Sequence, residues 1–259
     1  MKEFFREFFG IGGYKREPSG AYSWQHLVFV SSLMVIMIAL AIFFGRKNRN
    51  ASDKAKNKVL IWSAILIDGF EIFKIIMGCV ATKDPLNWLY NLPLFLCSIQ
   101  LITIPLAAFS KGIVKKASLD FVFVFGILGA VLGTYGAAQN YSAYPVLGFD
   151  NVVSGITHSI SGFASLYIVI SGMQSMKKEN ALIVFLIMIA FAVMALIANF
   201  ALDYNYMFLV RGDGTPYDIF YNLVNGNKVL YPIIVILLFA VYIFAFYGIY
   251  CLITKKKKA

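Results

Sequence analysis

Long apolar runs, broken by short polar and basic stretches, dominate the chain from residue 26 to residue 253. A helix needs about 20 apolar residues to cross about 30 Å of hydrocarbon. Seven segments reach that length, at residues 26–45, 58–78, 88–109, 118–137, 152–173, 181–202 and 229–253. The pattern therefore predicts an all-α polytopic membrane protein of about seven transmembrane helices. It divides the chain into an N-terminal segment (1–24), a single seven-helix transmembrane domain (25–254) and a basic cytoplasmic tail (255–259). The fourth and fifth segments are rich in Gly and Ser and carry the weakest signal. In the N-terminal segment, "KEFFREFF" at residues 2–9 sets phenylalanine pairs four apart between charges. That amphipathic pattern suits the membrane interface, and a disordered end fits the same residues equally well.

Composition agrees with this pattern. The 259 residues are 60% hydrophobic and 14% charged, where a soluble domain carries about a quarter charged; the mean hydropathy is +0.75. The net charge of +10 raises the question of nucleic acid, but the basic residues sit in short loops between apolar runs, where topology places them. No nucleic-acid partner is expected. Arg46, Lys47, Arg49, Lys54, Lys56, Lys58, Lys111, Lys115, Lys116, Lys177, Lys178 and the terminal Lys255 to Lys258 make fifteen on one side, against seven on the other. The positive-inside rule then puts the N-terminus outside and the C-terminus inside, in a multi-pass protein of the cell membrane. Trp24, Trp88, Tyr204, Tyr206, Tyr217, Tyr221 and Tyr231 fall near the outer ends of the spans, as an aromatic belt would. The first apolar run is of full spanning length and lacks a small-residue cleavage site, so a cleavable signal peptide is not expected. Three cysteines beside apolar runs make neither a disulfide framework nor a metal motif. With only two histidines, no metal and no cofactor is implied.

Ionisable groups inside spans are functional candidates. Asp68, Glu71 and Lys74 are spaced by three in "LIDGFEIFKII" and share about a third of a helix circumference. Lys74 can pair with Glu71, which leaves one acid unmatched. Ser154, His158, Ser161 and Ser165 make a small polar face that belongs against other helices rather than lipid. Gly126, Gly129, Gly133 and Gly136 form a second such face, read as close helix packing or as a groove for an acyl chain. In "NLPLFLCSIQLITIPL" (residues 91–106), Cys97 and Gln100 are three apart, one turn on the same face of the third span, and are expected to line a cavity with His158. A helical rise of 1.5 Å per residue places Cys97 roughly 14 Å and His158 roughly 9 Å from the outer ends of their spans. Glu71, Lys74 and Asn199 fall in the same outer half, which reads as a polar cavity open outward or laterally. Beyond the sixth span, Asp203, Asn205, Tyr206, Arg211 and Asp213 crowd one loop, suited to a lid or a headgroup contact or to a solvated hairpin.

"LPLFLC" entering the third span, the histidine of "THSISG" and "DYNYMFL" closing the sixth resemble the YwaF-type bacterial integral membrane proteins. That family is similar to eukaryotic ether-phospholipid acyltransferases and, distantly, to AIG1-type intramembrane lipid hydrolases. The resemblance covers the third to sixth spans. It implies a nucleophile at Cys97, a base at His158 and a bacterial plasma-membrane setting, with Asn199, Asn205 and Tyr206 shaping the site. Many relatives carry a histidine just before the cysteine, where this chain has Phe95. The acyl donor would be a lipid, and Gln100, Ser98 or a backbone N–H would hold the oxyanion. Glu71 and Lys74 join Gln100, Asn199, Asn205 and Tyr206 as candidate substrate-binding residues. The partners expected are membrane lipids, with a lipid or small molecule as substrate.

Two other classes compete. A proton-coupled or small-molecule transporter could use Asp68, Glu71, Lys74 and His158, although no internal repeat or broken-helix pair supports it. A non-enzymatic membrane scaffold could use the same polar residues for packing. A retinal protein is excluded, because the last span carries no lysine.

Overall fold

The computed structural model describes residues 2–173, 176–177 and 180–256. Lys178 and residues 257–259, which entered the count of basic residues and the tail, lie outside the described residues. Among the described residues the chain is helical, with no strand: α1 (Lys2–Phe8), α2 (Trp24–Asn48), α3 (Asp53–Thr82), α4 (Gln100–Phe109), α5 (Gly112–Leu132), α6 (Ala138–Ala143), α7 (Phe149–Ile170), α8 (Asn180–Leu202), α9 (Asp218–Leu223) and α10 (Leu230–Lys256). Among the described residues, four helices are long and apolar enough to cross a membrane: α2, α7, α8 and residues Leu230–Thr254 of α10. α3, at 30 residues, and α5, at 21, are also of spanning length, but α3 carries Asp68, Glu71 and Lys74 and α5 carries Lys115, Lys116 and Asp120.

The third predicted segment is not one helix. A 3-10 turn at Asn87–Asn91 gives way to non-helical backbone through residue 99, and only the ten residues of α4 are regular. Pro93 accounts for the break, because its ring disfavours helical backbone at the residue before it; Leu92 is extended at φ −61°, ψ 147°. The fourth segment ends earlier than expected, at Gly133, which caps α5.

Two compact units form. The first comprises residues Met1–Leu92 and Gln100–Gln174, the second Pro93–Ile99 and Ser175–Ala259. In the first unit, α7 lies at the centre, packed against α2, α3 and α5. Its core joins Leu60, Ala64 and Ile67 of α3, Ile104, Ala107 and Ala108 of α4, Leu119 and Val122 of α5, and Ala164, Tyr167 and Ile168 of α7. The small residues of α7 let its neighbours close in. Ser165 Oγ donates to the Phe123 carbonyl of α5 at 2.8 Å, and a methyl on Gly126 would lie 2.8 Å from the Ser161 carbonyl. Both polar-face serines are buried, as a helix-facing surface requires. α2 is anchored at its start by Ser23, whose Oγ accepts from the His26 N–H at 3.3 Å.

The N-terminal segment is ordered against the same unit. Glu7 accepts from the backbone N–H groups of Lys15 (2.9 Å) and Arg16 (3.0 Å) and from Arg16 Nε (3.3 Å). Phe9 packs on Phe73 and Phe149, and Tyr14 donates to Asp150 at 3.1 Å. A cavity of about 570 Å³ lies between this loop and the neighbouring ends of α3 and α6, lined by Tyr14, Arg16, Thr82, Asn87 and Asp150 among others.

In the second unit, α8 buries Val184, Met188, Ala192, Ala195 and Asn199, and the adjoining α10 buries Tyr231, Val235, Phe239, Ile243 and Tyr247 at intervals of four. The remaining faces expose Leu186, Val193, Ile197, Phe200, Leu237, Val241 and Leu252, apolar surface suited to lipid. Tyr206 and Tyr231, expected in an aromatic belt, are instead fully buried in protein, whereas Trp24 and Trp88 are exposed.

Candidate functional site

His158 occupies the α7 face that meets the end of α5. Its Nδ1 lies 2.7 Å from the Ser154 carbonyl one turn earlier. A carbonyl accepts only, so Nδ1 carries the hydrogen and Nε2 is the basic nitrogen of the neutral ring. The ring lies against Gly133, where any Cβ would overlap its Cδ2 and Nε2. This contact explains one glycine of the sequence stripe. Gly126 explains another, set against Ser161 and Ser165. The stripe therefore serves helix packing at these positions and carries no acyl-chain groove there.

Cys97 belongs to the second unit, within Pro93–Ile99. It is half-buried, and Cys79, Cys97 and Cys251 form no disulfide. The expectation that Cys97 and Gln100 share a helical turn fails, because Cys97 lies in the turns before α4 begins at Gln100. The depth of roughly 14 Å, reckoned on a continuous helix, fails with it. Local bonds fix the segment. Phe95 N–H donates to Ser98 Oγ at 3.0 Å, Ser98 Oγ donates back to the Phe95 carbonyl at 3.0 Å, and Ile99 N–H donates to that carbonyl at 3.0 Å. The Ser98 hydroxyl is thus directed away from an oxyanion role. Phe95, at the position where a histidine was expected in relatives, packs on Tyr206 (5.2 Å), Phe208 (5.8 Å) and Tyr204 (6.3 Å).

Asn199, Asn205 and Tyr206 meet in the loop after α8. Asn199 accepts from the Tyr206 N–H and donates to its carbonyl at 3.0 Å, closing the loop with one side chain. Asn205 accepts from Val210 N–H at 3.0 Å and donates to the Arg211 carbonyl at 2.8 Å and to Asp213 at 2.7 Å. Arg211 pairs with Asp213 at 2.6 Å. These bonds hold Asp203, Met207 and Phe208 at φ values of 50°, 55° and 54°, a left-handed backbone that costs of order 1–3 kcal/mol per non-glycine residue. Both asparagine amides work within their own loop, so they shape this surface.

Glu71 and Lys74 form an ion pair at 2.7 Å within α3, as the spacing implied. Asp68, the unmatched acid, keeps Oδ1 buried with no hydrogen-bond partner. Gln100, at the start of α4, is fully buried; its Oε1 accepts from Thr103 Oγ1 at 3.1 Å and its Nε2 has no partner. None of the expected site residues lines the cavity by the N-terminal loop.

Two further buried polar groups of the first unit, His26 and Asp120, lie outside the predicted site. His26 ties three elements of the first unit: its Nδ1 accepts from Tyr22 N–H at 3.0 Å, its Nε2 donates to the Thr134 carbonyl at 3.1 Å, and its ring stacks on Tyr141 at 3.8 Å. Its place at the very edge of an apolar run concealed it. Asp120 is fully buried on α5; an acid next to the run "FVFVF" was the available signal. Among the described residues, no group of three or more His, Cys, Asp or Glu is placed to hold a metal ion.

A family profile described as the TMEM164 family matches residues 21–253. No curated protein and no solved structure matches the chain.

Proposed function

The chain belongs to the TMEM164 family, a family of membrane proteins, and on that premise we propose that it is a lipid acyltransferase or lipid hydrolase working through Cys97 and His158. The observation that carries this reading is the contact of His158 Nδ1 with the Ser154 carbonyl. With Nδ1–H engaged by the Ser154 carbonyl at 2.7 Å, Nε2 is the nitrogen able to take a proton, as a general base requires. A second support is the setting of Cys97, in turns that lead into the start of a helix. The first N–H groups of a helix lack internal acceptors and favour a developing negative charge.

In the proposed reaction His158 takes the Cys97 proton and the thiolate attacks the carbonyl carbon of a lipid ester. Backbone N–H groups of the first turn of α4 stabilise the oxyanion. The C–O bond then breaks, His158 returns the proton to the leaving alcohol, and a thioester remains on Cys97. A hydroxyl of a lysolipid or of water next attacks the thioester, giving its proton to His158, and the thiol is restored. Gln100, Glu71, Lys74, Asn199, Asn205 and Tyr206 are proposed to shape or bind the lipid. We also propose seven crossings, with the N-terminus outside and the C-terminus inside, in the bacterial cell membrane. A transporter reading draws on the charges of α3, but Glu71 and Lys74 neutralise each other, which works against it.

The test is reaction of the purified protein with a lipid-like alkylating probe, comparing wild type with Cys97→Ser, His158→Ala and, as control, Cys79→Ser. Labelling lost in Cys97→Ser and about 10²–10⁴-fold slower in His158→Ala, the usual span of a general base, is the expected result. Labelling of Cys97 at the same rate in His158→Ala would overturn the proposal.

A further inference from the structure

Among the described residues, three buried side-chain atoms of the first unit have no partner, Asn151 Oδ1, Gln100 Nε2 and Asp68 Oδ1, and the last two are of opposite kinds on helices that pack together. Gln100 Nε2 is a donor without an acceptor, in a residue with no solvent exposure, and Asp68 Oδ1 is an acceptor without a donor. Their helices pack together in a fixed register. Asn57 Nδ2 of α3 donates to the Ala108 carbonyl of α4 at 2.7 Å, and Leu60, Ala64 and Ile67 share one core with Ile104, Ala107 and Ala108. The two helices thus run antiparallel. Counted from the Asn57–Ala108 tie, Gln100 lies about 12 Å along α4 and Asp68 about 16 Å along α3. Helical side chains lean toward the N-terminus of their own helix. That lean raises the Gln100 amide and lowers the Asp68 carboxylate, bringing the two to one level.

We propose that Asp68 and Gln100 together hold a hydroxyl group. The chemistry selects it. A cation would suit the carboxylate but meet the N–H of Gln100, and an anion would suit the amide but meet the carboxylate. A hydroxyl both donates and accepts, so one oxygen completes both groups, which do not bond each other. Lys74 does not answer Asp68, since it is paired with Glu71 at 2.7 Å. The hydroxyl comes from water or from a lipid alcohol. The inference extends the acyl-transfer reading by giving the accepting hydroxyl a binding place, and its test is made on protein that cannot react.

Thermal unfolding of the full chain carrying Cys97→Ser is measured in detergent with monoolein, which has an acyl chain and glycerol hydroxyls, and with methyl oleate, which has the chain alone. Binding to the folded state alone raises the midpoint. A larger rise with monoolein, its excess lost in Asp68→Asn and in Gln100→Leu, identifies a lipid hydroxyl. Equal effects of the two lipids, with Gln100→Leu and Asp68→Leu each lowering the midpoint and the double variant falling no further, identify water. A midpoint raised by Gln100→Leu, as removal of an unsatisfied amide would give, or strictly additive losses, would overturn the proposal. Gln100→Met, which keeps the side-chain length, repeats the comparison should the leucine variant fail to fold.

Discussion

Gly133 decides where the His158 imidazole can sit, because a methyl at this position would occupy the space of the ring. Gly133→Ala is expected to displace the imidazole, break its bond to the Ser154 carbonyl and slow probe labelling of Cys97 to the level of His158→Ala. Gly126→Ala serves as the contrast. Its new methyl meets the Ser161 carbonyl at 2.8 Å, and such overpacking costs about 1–3 kcal/mol. It should therefore lower the unfolding midpoint while leaving the labelling rate at low temperature unchanged. Spacing alone had marked both glycines and the Ser161 and Ser165 face, since small residues at intervals of three and four admit a neighbouring helix. Spacing could not reveal that one of them abuts a histidine, because that depends on the register between two helices. His26 was illegible for the same reason: its three partners come from Tyr22, Thr134 and Tyr141, up to 115 positions away.

Among the elements, the long runs were read correctly as helices where the period was uninterrupted, as in α2, α7, α8 and α10. The third run misled. Its apolarity fits a span, yet Pro93 disfavours helical backbone at Leu92, and only the ten residues of α4 are regular. Hydropathy counts side chains, and the break is a property of the backbone. The N-terminal loop offers an element-scale test of electrostatics. Two backbone N–H groups, of Arg16 and Lys15, hold the Glu7 carboxyl below its ordinary value of 4.5. A depressed carboxylate stabilises the folded arrangement fully above that ordinary value, and the contribution is lost as pH falls through the lower folded value. Protection of the Lys15 and Arg16 amides from hydrogen exchange, corrected for intrinsic rate, should therefore hold at neutral pH and decline below about 4.5. In Glu7→Gln it should show no such step.

For the whole molecule, the basic loops predict a sidedness that can be measured directly. With the N-terminus outside, a cysteine introduced at Asp84 should react with a membrane-impermeant thiol reagent on intact cells. One at Lys54 should react only after permeabilisation. The reverse pattern would invert the proposed orientation. The all-helical, multi-pass character was legible because apolar length and lysine placement are local in the chain. The division into two units was not, because the chain leaves the first unit at Pro93 and returns to it at Gln100, a detour of seven residues, Pro93–Ile99, that packs with a later part of the chain. Those seven residues therefore form a strap, stitched at both ends to one body while belonging to the other. Proline fixes φ where the strap begins, so of its two ends the one with the freer backbone is the return to the first unit, between Ile99 and Gln100, two residues from Cys97.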